Sequence, residues 1–253
     1  MLSDAAETIY QNVTEARLKN SLLEMRELKK VLDAVAQNSL IQYLTKNDIS
    51  VDLVSEEGNL TIGDGGTTMI ADPIDGTTNF SRTLVPAMTC LAVSKNNFFS
   101  GITSAIVMDL YTGEIFKAEK GKGSTLNDKK IYANNYSRIN NSLISIDMSK
   151  NPKFNRFTKL FNNARYIRML GSSAADICYI SSGIFDAHVD IRGSARATDL
   201  AAALFILQEA GGYFCLDSDY NIDMILSREN TFEIIAASNK LLLEEIKKLT
   251  NDE

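Results

Sequence analysis

The sequence predicts a mixed α/β (α+β) fold in two subdomains, residues 1–140 and 141–253. Three observations predict it. Apolar residues recur twice at helical spacing near the N-terminus, apolar segments between 88 and 118 are divided by hairpin signals, and strand-like and helix-like segments alternate from 143 onward. With 253 residues, 45% of them hydrophobic, the chain can bury a substantial core.

In chain order, Ala5, Ile9, Val13 and Ala16 define a first helix. Leu28, Val31, Leu32, Val35 and Ala36 define a second, joined through 22–27 without Gly or Pro. Residues 51–54 read as a short strand running into Ser55-Glu56-Glu57-Gly58, and a polar, glycine-rich segment at 58–66 leads to a buried strand at 67–71. Strands at 88–93, 98–108 and 114–118 are separated by Lys95-Asn96-Asn97 and Tyr111-Thr112-Gly113, and Gly121-Lys122-Gly123 is a further turn. Beyond a boundary near Asn140 come a strand at 143–146, helices at 154–161 and 172–180, and a strand at 184–189. A helix at 198–210, strands at 213–216 and 232–236, and a helix at 239–249 complete the chain.

Acidic residues number 32 against 26 basic, a net charge of −6, which argues against a nucleic-acid or membrane-surface binder. The N-terminus lacks the basic and apolar regions of a signal peptide and no apolar run approaches membrane-spanning length, so a cytoplasmic protein is expected. Cys90, Cys178 and Cys215 are far apart in apolar segments and read as buried thiols. The single histidine, His188, lies on an apparent strand and reads as structural, which weakens a zinc site or a Ser-His-Asp or Cys-His mechanism.

Chemistry concentrates in Asp72-Pro73-Ile74-Asp75-Gly76-Thr77-Thr78-Asn79-Phe80. Pro73 pushes Asp72 towards an extended conformation, and Gly76 tolerates a close approach by whatever the turn holds. Like charges about 4 Å apart repel by roughly 4 kcal/mol at an effective dielectric near 20, so a bound cation or a proton must relieve the two aspartates. The plainer alternative is an acidic turn in which Asp75 caps a helix starting at Gly76. Taken singly, Glu56 and Glu57 read as surface charges and Asp199 as a helix cap, whereas Asp33 stands on an otherwise apolar face and needs a partner. If these acids meet, they form an oxygen-rich site suited to Mg²⁺.

That stretch, with Glu56-Glu57 upstream and Thr198-Asp199-Leu200-Ala201-Ala202-Ala203 followed by Glu209-Ala210-Gly211-Gly212, resembles the inositol monophosphatase superfamily. Archaeal-type fructose-1,6-bisphosphatases belong to the same group. Tyr111-Thr112-Gly113-Glu114 and Glu119-Lys120-Gly121-Lys122-Gly123 match family turns, and Gly171-Ser172-Ser173-Ala174 matches a second phosphate-side helix. The resemblance implies a layered α/β/α/β/α sandwich and two or three Mg²⁺ ions held by Glu56, Asp72, the Ile74 carbonyl, Asp75 and Asp199. It implies that Gly76, Thr77, Ser172 and Ser173 serve the phosphate, and that Glu56, with Thr77 and Asp33, orients an attacking water.

Asp190 falls near the family position that bonds a sugar or inositol hydroxyl, and Arg192, Arg196, Arg165 and Arg168 are expected to hold a second phosphate. The expected activity is Mg²⁺-dependent hydrolysis of inositol 1-phosphate and/or fructose 1,6-bisphosphate, by a homodimer. A phosphoadenosine-type nucleotide 3'-phosphatase and a non-catalytic subunit that binds metal and sugar phosphate are the alternatives. Three departures from the family pattern stand out. Thr198 replaces a Trp, the segment 190–199 is two residues longer than in the typical inositol enzyme, and the family's mobile loop corresponds to 22–30, which has no glycine and carries Lys30 in a Thr position.

Overall fold

Two long helices open the chain, α1 (Leu2–Lys19) and α2 (Met25–Lys46). Both turn the stripe marked by Ile9, Val13, Leu32, Ala36 and Leu40 inward, as the spacing predicts. The structure is a computed structural model and describes residues 1–135, 138–149 and 154–250. The helices pack on one face of an eight-stranded sheet through Leu53, Met69, Leu91 and Ile106. Its strands are β1 (Val51–Ser55), β2 (Gly58–Ile62), β3 (Thr68–Asp75), β4 (Met88–Ser94), β5 (Ile102–Asp109), β6 (Ile115–Glu119), β7 (Gly123–Leu126) and β8 (Lys129–Ile131). They lie in the order β2-β1-β3-β4-β5-β6-β7-β8, with the short helix α3 (Thr77–Ser81) inserted between β3 and β4.

A second, five-stranded sheet has the order β10-β9-β11-β13-β12. Its strands are β9 (Leu143–Ile146), β10 (Tyr166–Arg168), β11 (Ala187–Arg196), β12 (Tyr213–Leu216) and β13 (Thr231–Ala237). Between the sheets lie α5 (Ser173–Ser181) and α6 (Ala197–Glu209), and the outer face of the second sheet carries α4 (Phe154–Asn163) and α7 (Lys240–Thr250). Helix α6 is apolar on nearly every side because both sheets cover it: Leu200, Leu204, Phe205, Ile206 and Leu207 are all buried. The layers therefore run α/β/α/β/α, as expected. Among the described residues, no helix is long and apolar enough to cross a membrane.

Several expected boundaries move. Strand β3 does not stop at Ala71; it continues to Asp75, with a register shift against β4 between Asp72 and Asp75. Pro73 lacks an N–H for the ladder, and the irregularity accommodates it without ending the strand. The segment at 58–62, expected as loop, is strand β2, paired in register with β1. The strand expected at 98–108 is split by a 3₁₀ turn at Phe99–Gly101, and that expected at 184–189 starts at Ala187 and runs on to Arg196. The short strands β7, β8 and β10 carry too few apolar residues to show as strands in sequence. Helix α2 begins at Met25, so residues 25–30, Lys30 included, are helical and not part of a loop.

Candidate metal centre

Five chain segments deliver acids to one cavity of about 620 Å³. Parallel pairing of β1 with β3 sets Ser55 opposite Ala71, so that Glu56, just past the end of β1, and Asp72, within β3, are neighbours. Asp75 closes β3, and Asp199 stands in the first turn of α6. One carboxylate oxygen each from Glu56, Asp72 and Asp199 lies within 4.8 Å of the others. Asp33, from α2, lines the same cavity together with Ile74, Gly76, Thr77 and Ser173.

The surrounding hydrogen bonds fix these groups. Asp72 Oδ1 accepts from the Ile74 N–H at 3.0 Å, and the Ile74 carbonyl accepts from Thr77 Oγ1 at 3.0 Å. Asp75 Oδ2 accepts from Ser172 Oγ and from the Ala174 N–H, both at 2.7 Å, while Ser172 Oγ itself accepts from the Ala175 N–H and so caps α5. Thr198 Oγ1 donates to Asp199 Oδ1 at 2.8 Å, a role open to this threonine. Gly76 is needed as glycine: its φ is +89°, and a Cβ would sit 3.2 Å from the Pro86 carbonyl and 3.4 Å from that of Gly171. Asn79, in α3, donates to the carbonyls of Pro86 and Leu170 and thereby ties α3 to the segment leading into α5.

Charge is crowded here. Burial and the nearby carboxylates of Glu56, Asp199 and Asp75 push Asp72 well above the usual range. Burial and Asp199 raise Asp75 to about 7, although its hydrogen bonds from Ser172 and Ala174 act in the other direction. Burial and Glu56 raise Asp199 to about 6. Asp33 also rises to about 6, through burial and then Glu57, with a Thr77 hydrogen bond opposing. A cluster of buried oxygen donors that resist ionisation beside one another suits a hard divalent cation, whose charge removes that resistance. The residues present therefore fit a divalent metal ion, with Glu56, Asp72 and Asp199, and Asp75 beside them, as acids able to hold it.

The substrate-side expectations fare unevenly. Arg192 and Arg196 line the cavity. Arg196 Nη1 bonds Glu56 Oε1 directly. Arg192 forks onto Asp190, with Nε to Oδ1 at 2.8 Å and Nη2 to Oδ2 at 2.6 Å, and also meets Asp147 at 2.7 Å. Asp190 is fully buried, does not line the cavity, and has both carboxylate oxygens engaged by Arg192. A buried carboxylate needs such a partner. Arg168 and Arg165 do not line the cavity either: Arg168 is exposed and donates to the Ile167 carbonyl, and Arg165 lies over the Tyr166 ring. Short strand β10 directs this segment along the edge of the second sheet. Ser172 is buried behind Asp75, while Ser173 reaches the cavity. His188 is fully buried against Asp176, 3.2 Å away, and Ser145, 2.9 Å away, a structural position as read.

Sequence reasoning missed Lys29, Asn79, Asp147 and Ser149, all of which line the cavity. For Lys29 a signal existed, since it precedes Asp33 by one helical turn. For Asp147 and Ser149, just beyond β9, none did.

Comparison with known proteins agrees with fold and site. The family model described as the inositol monophosphatase family matches residues 2–252. A fructose-1,6-bisphosphatase/inositol-1-monophosphatase from Methanocaldococcus jannaschii is 30% identical over 221 residues, 87% of this chain and 84% of that protein. A Nus factor SuhB from Xylella fastidiosa is 28% identical over 190 residues, 73% of this chain and 67% of its own length. Among solved structures, a Pyrococcus horikoshii protein described as similar to inositol-1 monophosphatase superposes with a TM-score of 0.77 at 29% identity, covering 88% of this chain and 85% of its own. The match along nearly the whole chain, on a five-layer fold whose strand ends converge on an acid cluster, places this protein in the inositol monophosphatase family, a family of phosphatases.

Proposed function

We propose that the protein is a Mg²⁺-dependent phosphomonoesterase acting on a small sugar or inositol phosphate, with inositol 1-phosphate and fructose 1,6-bisphosphate as the leading substrates. The observation that carries the reading is the convergence of Glu56, Asp72 and Asp199 oxygens within 4.8 Å in the cavity that also holds Asp75, Thr77 and Asp33. When bound, Mg²⁺ supplies charge to the phosphate oxygens and lowers the pKa of a water. Glu56, Asp72, Asp75, Asp199 and the Ile74 carbonyl would hold it. In the structure the Thr77 hydroxyl donates to the Ile74 carbonyl; with that carbonyl taken up by the metal, the hydroxyl would turn to the Asp33 carboxylate, leaving the Thr77 oxygen to orient a water together with Glu56. Gly76, Thr77 and Ser173 form the wall that receives the phosphate. No histidine or covalent nucleophile is needed.

For a second phosphate only Arg192 and Arg196 remain, both already engaged by acids, so fructose 1,6-bisphosphate has less support than four arginines would give. A second reading, a binding subunit without turnover, draws on the relatives named Nus factor SuhB and on the helical course of 25–30. The intact acid set opposes it. Phosphate release should be measured with and without Mg²⁺ over inositol 1-phosphate, fructose 1,6-bisphosphate and a 3'-phosphoadenosine. Metal-dependent turnover of one of the first two is expected, reduced about a hundredfold or more in Asp75→Asn. Metal binding with no turnover of any of the three would favour the binding subunit. A homodimer in the cytoplasm is proposed on family resemblance and is checked by light scattering and fractionation.

A further inference from the structure

The cavity around the acid cluster is lined by three cations, Lys29, Arg192 and Arg196. Two are matched in place: Arg192 by Asp190 and Asp147, Arg196 by Glu56. Lys29 differs. Its Nζ donates to a neutral group, Thr78 Oγ1, at 2.7 Å, and among the described residues it meets no carboxylate within 4.0 Å. An ammonium carries three N–H donors, so two are left for the cavity after Thr78 has taken one. Asp33, one turn further along α2, feels the Lys29 charge, but only at longer range.

Six acids line the same cavity: Asp33, Glu56, Asp72, Asp75, Asp147 and Asp199. A phosphate dianion entering so acidic a space needs positive charge that no carboxylate has already claimed. Lys29 supplies it, and Thr78 holds the side chain beforehand, which reduces the rotamer entropy lost on binding. Thr78 adjoins Thr77 on the wall of the cavity, so the ammonium is anchored beside the groups assigned to the phosphate.

We propose that Lys29 is a phosphate-binding residue of this chain, donating from the α2 wall to the substrate's phosphate group. The proposal rests on the phosphatase reading above. It also gives the regular course of α2 a use: starting the helix at Met25 places a fixed ammonium at the cavity where the resemblance leads one to expect a mobile loop.

The test is calorimetric binding of inorganic phosphate to the Mg²⁺-saturated protein, for wild type, Lys29→Met and Lys29→Arg. In Lys29→Met, phosphate affinity should fall about tenfold, the scale of a charged hydrogen bond, and in Lys29→Arg it should stay within about threefold of wild type. Mg²⁺ affinity measured without phosphate should not weaken in Lys29→Met, because the substitution removes a positive charge beside Asp33. Unchanged phosphate affinity in Lys29→Met, or a loss that tracks a loss of Mg²⁺ affinity, overturns the assignment. Wild-type protein that takes up Mg²⁺ and binds no phosphate overturns the phosphatase reading as well. Wild-type turnover together with unchanged phosphate affinity in Lys29→Met overturns the Lys29 assignment alone.

Discussion

At the scale of single residues, the site is a place where side chains oppose folding so that they can bind. Asp75 and Asp199, raised to about 7 and about 6 from 3.8, resist ionisation in the metal-free fold. Raised carboxylates leave folding unpenalised below about pH 4; the penalty grows as pH climbs from there to the folded values and is constant above them. In EDTA, the Tm should therefore fall between about pH 5 and about pH 8. Mg²⁺ should restore more of it at the higher pH, where the cluster is ionised and ready to bind. Thermal unfolding at both pH values, with and without Mg²⁺, checks this, and a metal-free Tm that rises over the window would contradict it. Ser172 shows the same economy on a smaller scale, one hydroxyl serving both Asp75 and the start of α5.

At the scale of elements, α6 carries the greatest burden. Its first turn presents Asp199 to the cavity, and Leu200 to Leu207 are buried between the two sheets. Leu204 is fully buried, so Leu204→Ala should lower stability by about 2–5 kcal/mol in urea unfolding. Leu241→Ala, on the exposed side of α7, should stay within about 0.5 kcal/mol. Equal losses at the two positions would mean that α6 is not the shared core helix described. Helix α6 was legible in sequence because Leu200 to Leu207 form an unbroken apolar run. Strands β2, β8 and β10 were not, because their burial pattern is largely exposed, and β7 was not, because Leu126 is its one large apolar residue; their pairing comes from neighbours distant from any local signal.

For the whole molecule, the strands before Asn140 build one sheet and those after it build the other, yet the central cluster joins Ile70, Cys90 and Val107 of the first sheet to Ile234 and Ala236 of the second through α5 and α6. Unfolding should therefore be a single cooperative transition, and a fragment of residues 1–140 should fail to hold native structure. Far-UV and near-UV circular dichroism during urea unfolding should give coincident curves. Two separated transitions would show that the halves are independent domains.

The motif Asp72 to Phe80 and the acids Glu56 and Asp199 were readable because ligand types and turn residues are properties of the chain itself, as are the two N-terminal helices with their 3.6-residue period. Only the tertiary structure decided which side chains those acids meet. It matched Arg196 to Glu56 and Arg192 to Asp190, carried Arg165 and Arg168 out of the cavity, and brought Lys29 into it. Motif spacing records what a turn can hold, whereas a long side chain's charge partner depends on which strands and helices pack beside it. Lys29 and Thr78 are 49 residues apart in sequence and 2.7 Å apart in the fold.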